Sequence, residues 1–154
     1  MAKDKALPSL EEHAFVTLLR TADLLQRRAA QMFKQHGLSP TQYNALRILR
    51  GAGAEGLACK EVGERMINHD PDITRLLDRL EARGLMQRSR GQQDRRVIRA
   101  RITPAGLDLL RRLDRPVQDF QRQLLGHMSE HRLHTLIRLL ELAVLGRCRE
   151  ISSS

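Results

Sequence analysis

One run of residues constrains the fold more than any other: Asp70-Pro71-Asp72-Ile73-Thr74-Arg75-Leu76-Leu77-Asp78-Arg79-Leu80-Glu81-Ala82-Arg83-Gly84-Leu85, leading straight into a basic hairpin. Asp70 predicts a helix cap, and Pro71 suits the first turn, where a missing N–H costs nothing. Ile73, Leu76, Leu77 and Leu80 recur at the spacing of one buried helix face, and Gly84 supplies the stop. Pro71, Asp72, Thr74, Arg75 and Arg79 are left on the outer face. Residues 85–89 and 97–102 then read as two strands around the loop 90–96. In the second strand Ile98, Ala100 and Ile102 alternate with outward-facing Arg99 and Arg101. Thr103 caps the next helix, with Pro104 at its first position.

The segment before this run has a matching logic. Ser39, Pro40 and Gln42 predict a capping box that opens a helix with Tyr43, Leu46, Ile48 and Leu49 as its apolar residues. The glycine-rich stretch 51–56 breaks it. A short helix over 58–66 turns Val62 and Met66 inward, and Gly63 lets a second helix cross closely. Residues 67–69 are the turn. Two helices joined by a short turn, the second polar on its outer face, and then an arginine-tipped hairpin make a winged helix-turn-helix.

The ends of the chain are helical as well. Within residues 10–35, Phe15, Leu18, Ala22, Leu25, Ala29 and Met32 alternate spacings of three and four, and Gly37 ends that helix. Leu109, Leu113, Val117, Phe120 and Leu124 stripe the helix that Thr103 begins, with Pro116 as an expected kink. Ser129 caps a last helix that is apolar nearly all round, from Leu133 to Leu145. One chain cannot cover both this helix and the first seam. A dimer that interleaves its terminal helices can, with Phe15, Leu133, Ile137, Leu140 and Val144 in the interface. The expected organisation is therefore mainly α with a small β-hairpin wing. Residues 1–36 and 104–150 form a helical dimerisation region, 37–103 the winged lobe, and 151–154 a disordered tail.

The 154 residues carry 27 Lys and Arg against 18 Asp and Glu, a net charge of +9. That excess favours a polyanionic partner. Two cysteines, Cys59 and Cys148, give neither a disulfide framework nor a zinc set and fit a reducing cytoplasm. No apolar run reaches the length of a membrane span. No glycine-rich phosphate loop, zinc-protease motif or nucleophile elbow is present, so the chain reads as no enzyme, with no cofactor and no metal. His127, His131 and His134 are spaced four and three apart, but no carboxylate completes a ligand set. Cys59 falls in the first turn of the short helix, where the helix N-terminus would lower a thiol pKa. Ordinary packing is the better account of it, and of Cys148.

DNA chemistry gives roles to the remaining residues. An arginine at a hairpin tip, Arg96 with Arg95 beside it, has the shape to enter a narrow minor groove. Arg75 can pair bidentately with guanine, and Thr74 can meet a thymine methyl or a phosphate. Asp72 either accepts from cytosine N4 or supports the helix N-terminus, the role its charge favours. Lys60 stands near a helix N-terminus suited to phosphate.

Gly37-Leu38-Ser39-Pro40-Thr41-Gln42-Tyr43, the run from Thr74 to Leu85, and Asp94-x-Arg96 followed by Ile102-Thr103-x-x-Gly106 together resemble the MarR family of bacterial transcriptional regulators. The likeness spans nearly the whole chain. Ile102 stands where the family usually has leucine. The resemblance implies a homodimer on a pseudo-palindromic double-stranded operator, a repressor often released by a small phenolic or anionic ligand. It implies that Asp94 orients the Arg96 guanidinium. It also implies an effector pocket, with His13, Thr17, Tyr43 and Arg47 as its polar residues; packing of the second helix against the first accounts for Tyr43 and Arg47 equally well. A ligand-independent architectural or constitutive DNA-binding protein is the alternative.

Overall fold

The computed structural model describes residues 9–68, 72–91 and 96–148, and they divide into two compact units, 1–112 and 113–154. In the first unit, Ser9 caps helix α1 (Leu10–Lys34) by accepting from the Glu12 N–H at 3.1 Å. Gly37 follows with φ +70°, a left-handed turn that glycine adopts without strain. The predicted capping box opens α2 (Pro40–Gly51): the Gln42 N–H donates to Ser39 Oγ at 3.1 Å, and the Ser39 N–H donates to Gln42 Oε1 at 3.0 Å. A single 3-10 turn (Gly53–Glu55) leads into a two-residue strand, β1 (Leu57–Ala58), which the sequence reading did not anticipate.

Helix α3 (Cys59–Arg65) and helix α4 (Ile73–Ala82) are the two members of the helix-turn-helix. The start of α4 differs from the sequence expectation. It begins at Ile73, and its cap is Asp72, whose Oδ1 accepts from the Arg75 N–H at 3.2 Å. Asp70 and Pro71 lie outside the described residues. Strands β2 (Met86–Arg90) and β3 (Ile98–Ile102) form the wing, and β1 joins them in an antiparallel sheet of order β1-β3-β2. The register sets Arg88 opposite Ala100 and Met86 opposite Ile102, and the Gly91 N–H donates to Val97 O at 2.8 Å just beyond the paired strands.

The core of this unit is aliphatic. Leu46, Leu49, Val62, Leu77, Leu80, Met86 and Ala100 are almost fully buried. Asn44 is the one buried polar residue among those described, and its Oδ1 accepts from the Ile67 N–H at 3.5 Å in the turn before α4. Helix α5 (Pro104–Leu125) runs through Pro116 without ending there. Thr103 caps it, accepting from the Gly106 N–H at 3.2 Å while its hydroxyl donates to Gly84 O at 2.6 Å. The helix crosses from the first unit into the second: Leu110 is buried in the first part and Leu113 and Val117 in the second, while the expected Leu109, Phe120 and Leu124 are half-buried.

In the second unit α6 (Glu130–Cys148) begins after Ser129, whose Oγ accepts from the Arg132 N–H at 3.4 Å. Both terminal helices carry apolar side chains open to solvent in the single chain, including Phe15, Leu18 and Leu19 on α1 and Ile137, Leu140 and Val144 on α6. Residues 1–8 and 149–154, the expected tail among them, lie outside the described residues. Among those described, no helix is long and apolar enough to cross a membrane.

Candidate nucleic-acid interface

Helix α4 buries Leu76, Leu77 and Leu80 and turns Asp72, Thr74, Arg75 and Arg79 to solvent. The helical period forces this division: residues three, four and seven apart share a face. Asp72 has a second task besides its cap, because Oδ2 pairs with Arg75 Nε at 3.2 Å. One carboxylate thus satisfies an orphan N–H of the first turn and pairs with the guanidinium of the same residue, Arg75. Arg75 and Arg79 also line a shallow cleft of about 250 Å³ with Ser39, Thr41 and Gln42 from the start of α2.

Lys60, in the first turn of α3, is 88% exposed and reaches Glu64 at 3.7 Å. Beside it the Ala58 N–H donates to Glu61 Oε2 at 2.8 Å, the half of a capping box that alanine permits. Arg96 is exposed at the edge of the wing. Asp94 and Arg95, like Pro71, are outside the described residues, so their expected roles have no geometry here.

The arginines of β3 correct the sequence expectation. Arg99 and Arg101 do not simply point outward; both are half-buried. Arg99 donates through Nε to Glu55 O and through Nη2 to Gly56 O, each at 3.0 Å, and Arg101 Nε reaches Glu55 O at 3.5 Å. They strap the loop before β1 to the wing. Alternation of arginine with apolar residues is the same whether a guanidinium meets water or a loop carbonyl, so the pattern could not show this.

Two further arginines were not singled out by sequence. Arg83, just past α4, donates to Gly37 O at 2.7 Å and ties the end of α4 to the α1–α2 turn. Arg88 on β2 meets Glu81 and Asp78 of α4. The hydrogen bonds from Arg88 hold the Glu81 carboxyl below its usual range.

The four residues expected to line an effector pocket are not brought together in one chain. Tyr43 is buried and stacks on Phe33 at 4.4 Å between ring centroids, near the C-terminal end of α1. Thr17 and His13 stand on the same helix about 24 and 30 Å away along its axis, at 1.5 Å per residue. Both are exposed, as is Arg47. A small aromatic acid cannot span that separation, and Tyr43 is committed to packing α2 on α1.

Cys59 is half-buried, and burial pushes its thiol up, with Glu81 adding to the rise and Arg88 opposing it. The lowering expected from the helix N-terminus does not win. The three histidines are exposed: His127 sits in the turn after α5, and His134 Nε2 lies 3.7 Å from Glu130 Oε1. Among the described residues no group of three or more potential ligands is placed to hold a metal ion. On α6, Ile137 is 52% exposed, Leu140 41% and Val144 68%, while Leu133 is half-buried; on α1, Phe15 is 56% exposed.

A capped helix with an outward arginine pair, preceded by a short helix and followed by a basic antiparallel wing, defines a winged helix-turn-helix protein. The model of the MarR family matches residues 38–98, the lobe just described. A MarR transcription factor from Planctomyces limnophilus is 43% identical, with a TM-score of 0.68 over 88% of this chain and 98% of that one. The chain belongs to the MarR family. The regulator MhqR of Bacillus subtilis is 31% identical over 96 residues, 62% of this chain and 65% of that protein, so the match spans a little under two thirds of its length. The MarR family regulator Sco3205 from Streptomyces coelicolor, solved in complex with DNA, is 20% identical and shares the fold with a TM-score of 0.80 over 94% of this chain and 92% of its own. The chain is thus a DNA-binding transcription regulator of MarR type and not an enzyme.

Proposed function

We propose that the chain acts in the cytoplasm as a homodimer that binds a pseudo-palindromic operator and represses transcription. The observation that carries the reading is the outward row Thr74, Arg75 and Arg79 on a helix whose other face is locked into the core. Such a helix can enter the major groove while Arg96 follows the adjoining minor groove. Asp72 keeps its capping role and holds Arg75 in place between encounters. The solvent-facing apolar residues of α1 and α6 support pairing, since a regulator that reads a two-fold site needs a two-fold protein.

Selection of bound DNA from a random pool, followed by footprinting, tests this. A short two-fold protected site is the expected result. Sequence-blind coating would instead favour the architectural reading.

Contacts divide further by chemistry. Arg96→Ala is expected to weaken operator binding by about 1–3 kcal/mol with an unchanged circular dichroism spectrum. Arg75→Ala should relax base preference, while Lys60→Ala weakens all sequences alike and lowers the salt slope by about one. Titration of the three variants on operator and random DNA at several salt concentrations checks the division. Equal losses on both DNAs for Arg75 and Lys60 would contradict it.

Release by a small phenolic or anionic effector is proposed on family membership alone, with no pocket assigned to it. Titration of salicylate-like compounds into the operator complex reads it directly. Failure to release DNA at about millimolar ligand, the weak end of the affinity scale, removes it.

A further inference from the structure

We propose that Arg88 is a positioning residue: it locks the recognition helix α4 to the wing and thereby sets base preference without touching DNA. The inference rests on the DNA-binding reading above.

Arg88 is held from both sides. Its place in β2, opposite Ala100, fixes its backbone in the sheet. Its own N–H donates to Glu81 Oε1 at 2.8 Å, its Nε to Glu81 Oε2 at 2.9 Å, and its Nη2 to Glu81 Oε2 at 2.6 Å and Asp78 Oδ1 at 2.5 Å. The two carboxylates are three residues apart on α4, so one guanidinium spans a full turn of that helix. The Arg88 side chain is only 26% exposed, against 53% for Asp78 and 35% for Glu81. An isolated ion pair at this exposure would contribute little. A fork with several bonds has a fixed geometry, and the geometry is what matters here.

Leu76, Leu77 and Leu80 hold α4 down on the core. That packing holds one face of the helix, and a directional fork on its flank limits the small rotations about its own axis that side-chain packing still allows. The outer groups Arg75 and Arg79 sit on the opposite side, where a small rotation displaces a guanidinium most. Bidentate base recognition tolerates errors of only about half an ångström and 10–20°. The Arg88 fork on Asp78 and Glu81 is directional and opposes that rotation.

The test compares the ratio of operator to random-DNA affinity in wild type, Arg88→Met and Asp78→Asn, with the folded fraction of each fixed by circular dichroism. Arg88→Met is expected to lower the ratio about tenfold or more. Its salt slope should match wild type, because no phosphate contact is lost. The selected DNA motif should blur at the bases that Arg75→Ala also blurs. Asp78→Asn, which spares the Glu81 bonds, should shift the ratio the same way by less, and it decides the matter if Arg88→Met fails to fold. Equal loss on both DNAs with a smaller salt slope would make Arg88 a phosphate contact and overturn the inference. A high wild-type ratio that neither folded variant lowers would overturn it while leaving the DNA-binding reading intact. A wild-type ratio near one would overturn both.

Discussion

Replacing Ile137 and Leu140 together by aspartate is expected to leave a folded chain that sediments as a monomer of 17.6 kDa and no longer binds operator. The two side chains are 52% and 41% exposed in the single chain, so their carboxylates can stay hydrated there and α6 should keep its helical signal. The cost falls on assembly. In the proposed interface each chain would bring both carboxylates into an apolar surface, and burying a charge there without a partner costs several kcal/mol. At 1.4 kcal/mol per tenfold, one such group already removes a dimer from working concentrations. Operator binding goes with it, because each half-site alone holds a single recognition helix and wing. Sedimentation and a gel shift read the two effects separately. A folded dimer with both aspartates in place would refute the interface.

How far the chain could be read in advance depended on the range of each interaction. Caps act within one turn, and Ser39 with Gln42, Thr103 and Ser129 were all legible because each cap oxygen and the N–H that donates to it are three residues apart. The start of α4 was missed by two residues for the same reason: Asp70, Pro71 and Asp72 are all start signals, and only tertiary packing chooses among them. Strand β1 is too short to carry a period, and its existence depends on β3, some forty residues on.

Longer-range chemistry was hidden. Arg88 reads as an ordinary polar position in an alternating strand, and only the fold brings Asp78 and Glu81 to it. Within one chain the effector set is parted by length. His13 and Tyr43 belong to neighbouring helices, but a 25-residue helix puts its two ends in different surroundings. The recognition helix, by contrast, was legible in nearly every residue, because an amphipathic period fixes both its core face and its outer face at once.

Gly106→Ala is expected to destabilise the fold by up to about 3 kcal/mol, although alanine normally favours a helix over glycine by about 1 kcal/mol. Gly106 lies in the first turn of α5, where a Cβ would stand 2.2 Å from Leu85 O and 2.7 Å from Ile102 Cγ1. The nearer atom is backbone and has no freedom to swing aside. That carbonyl also accepts from the Thr103 N–H at 3.1 Å, and the neighbouring Gly84 carbonyl accepts from Thr103 Oγ1 at 2.6 Å. A methyl group at 106 therefore pushes the start of α5 off the turn between α4 and β2, and takes both bonds with it. This is why the motif Ile102-Thr103-x-x-Gly106 requires its last residue: the cap and the close approach belong to one junction. Gly51→Ala is the control, since a Cβ there meets nothing within 4 Å and its backbone needs no positive φ. It should be neutral or stabilising by up to about 1 kcal/mol. Urea unfolding of the two variants, at equal m-values, measures the contrast. Equal midpoints would mean that the junction yields to a methyl group, and that the glycine has no packing role in joining the wing to α5.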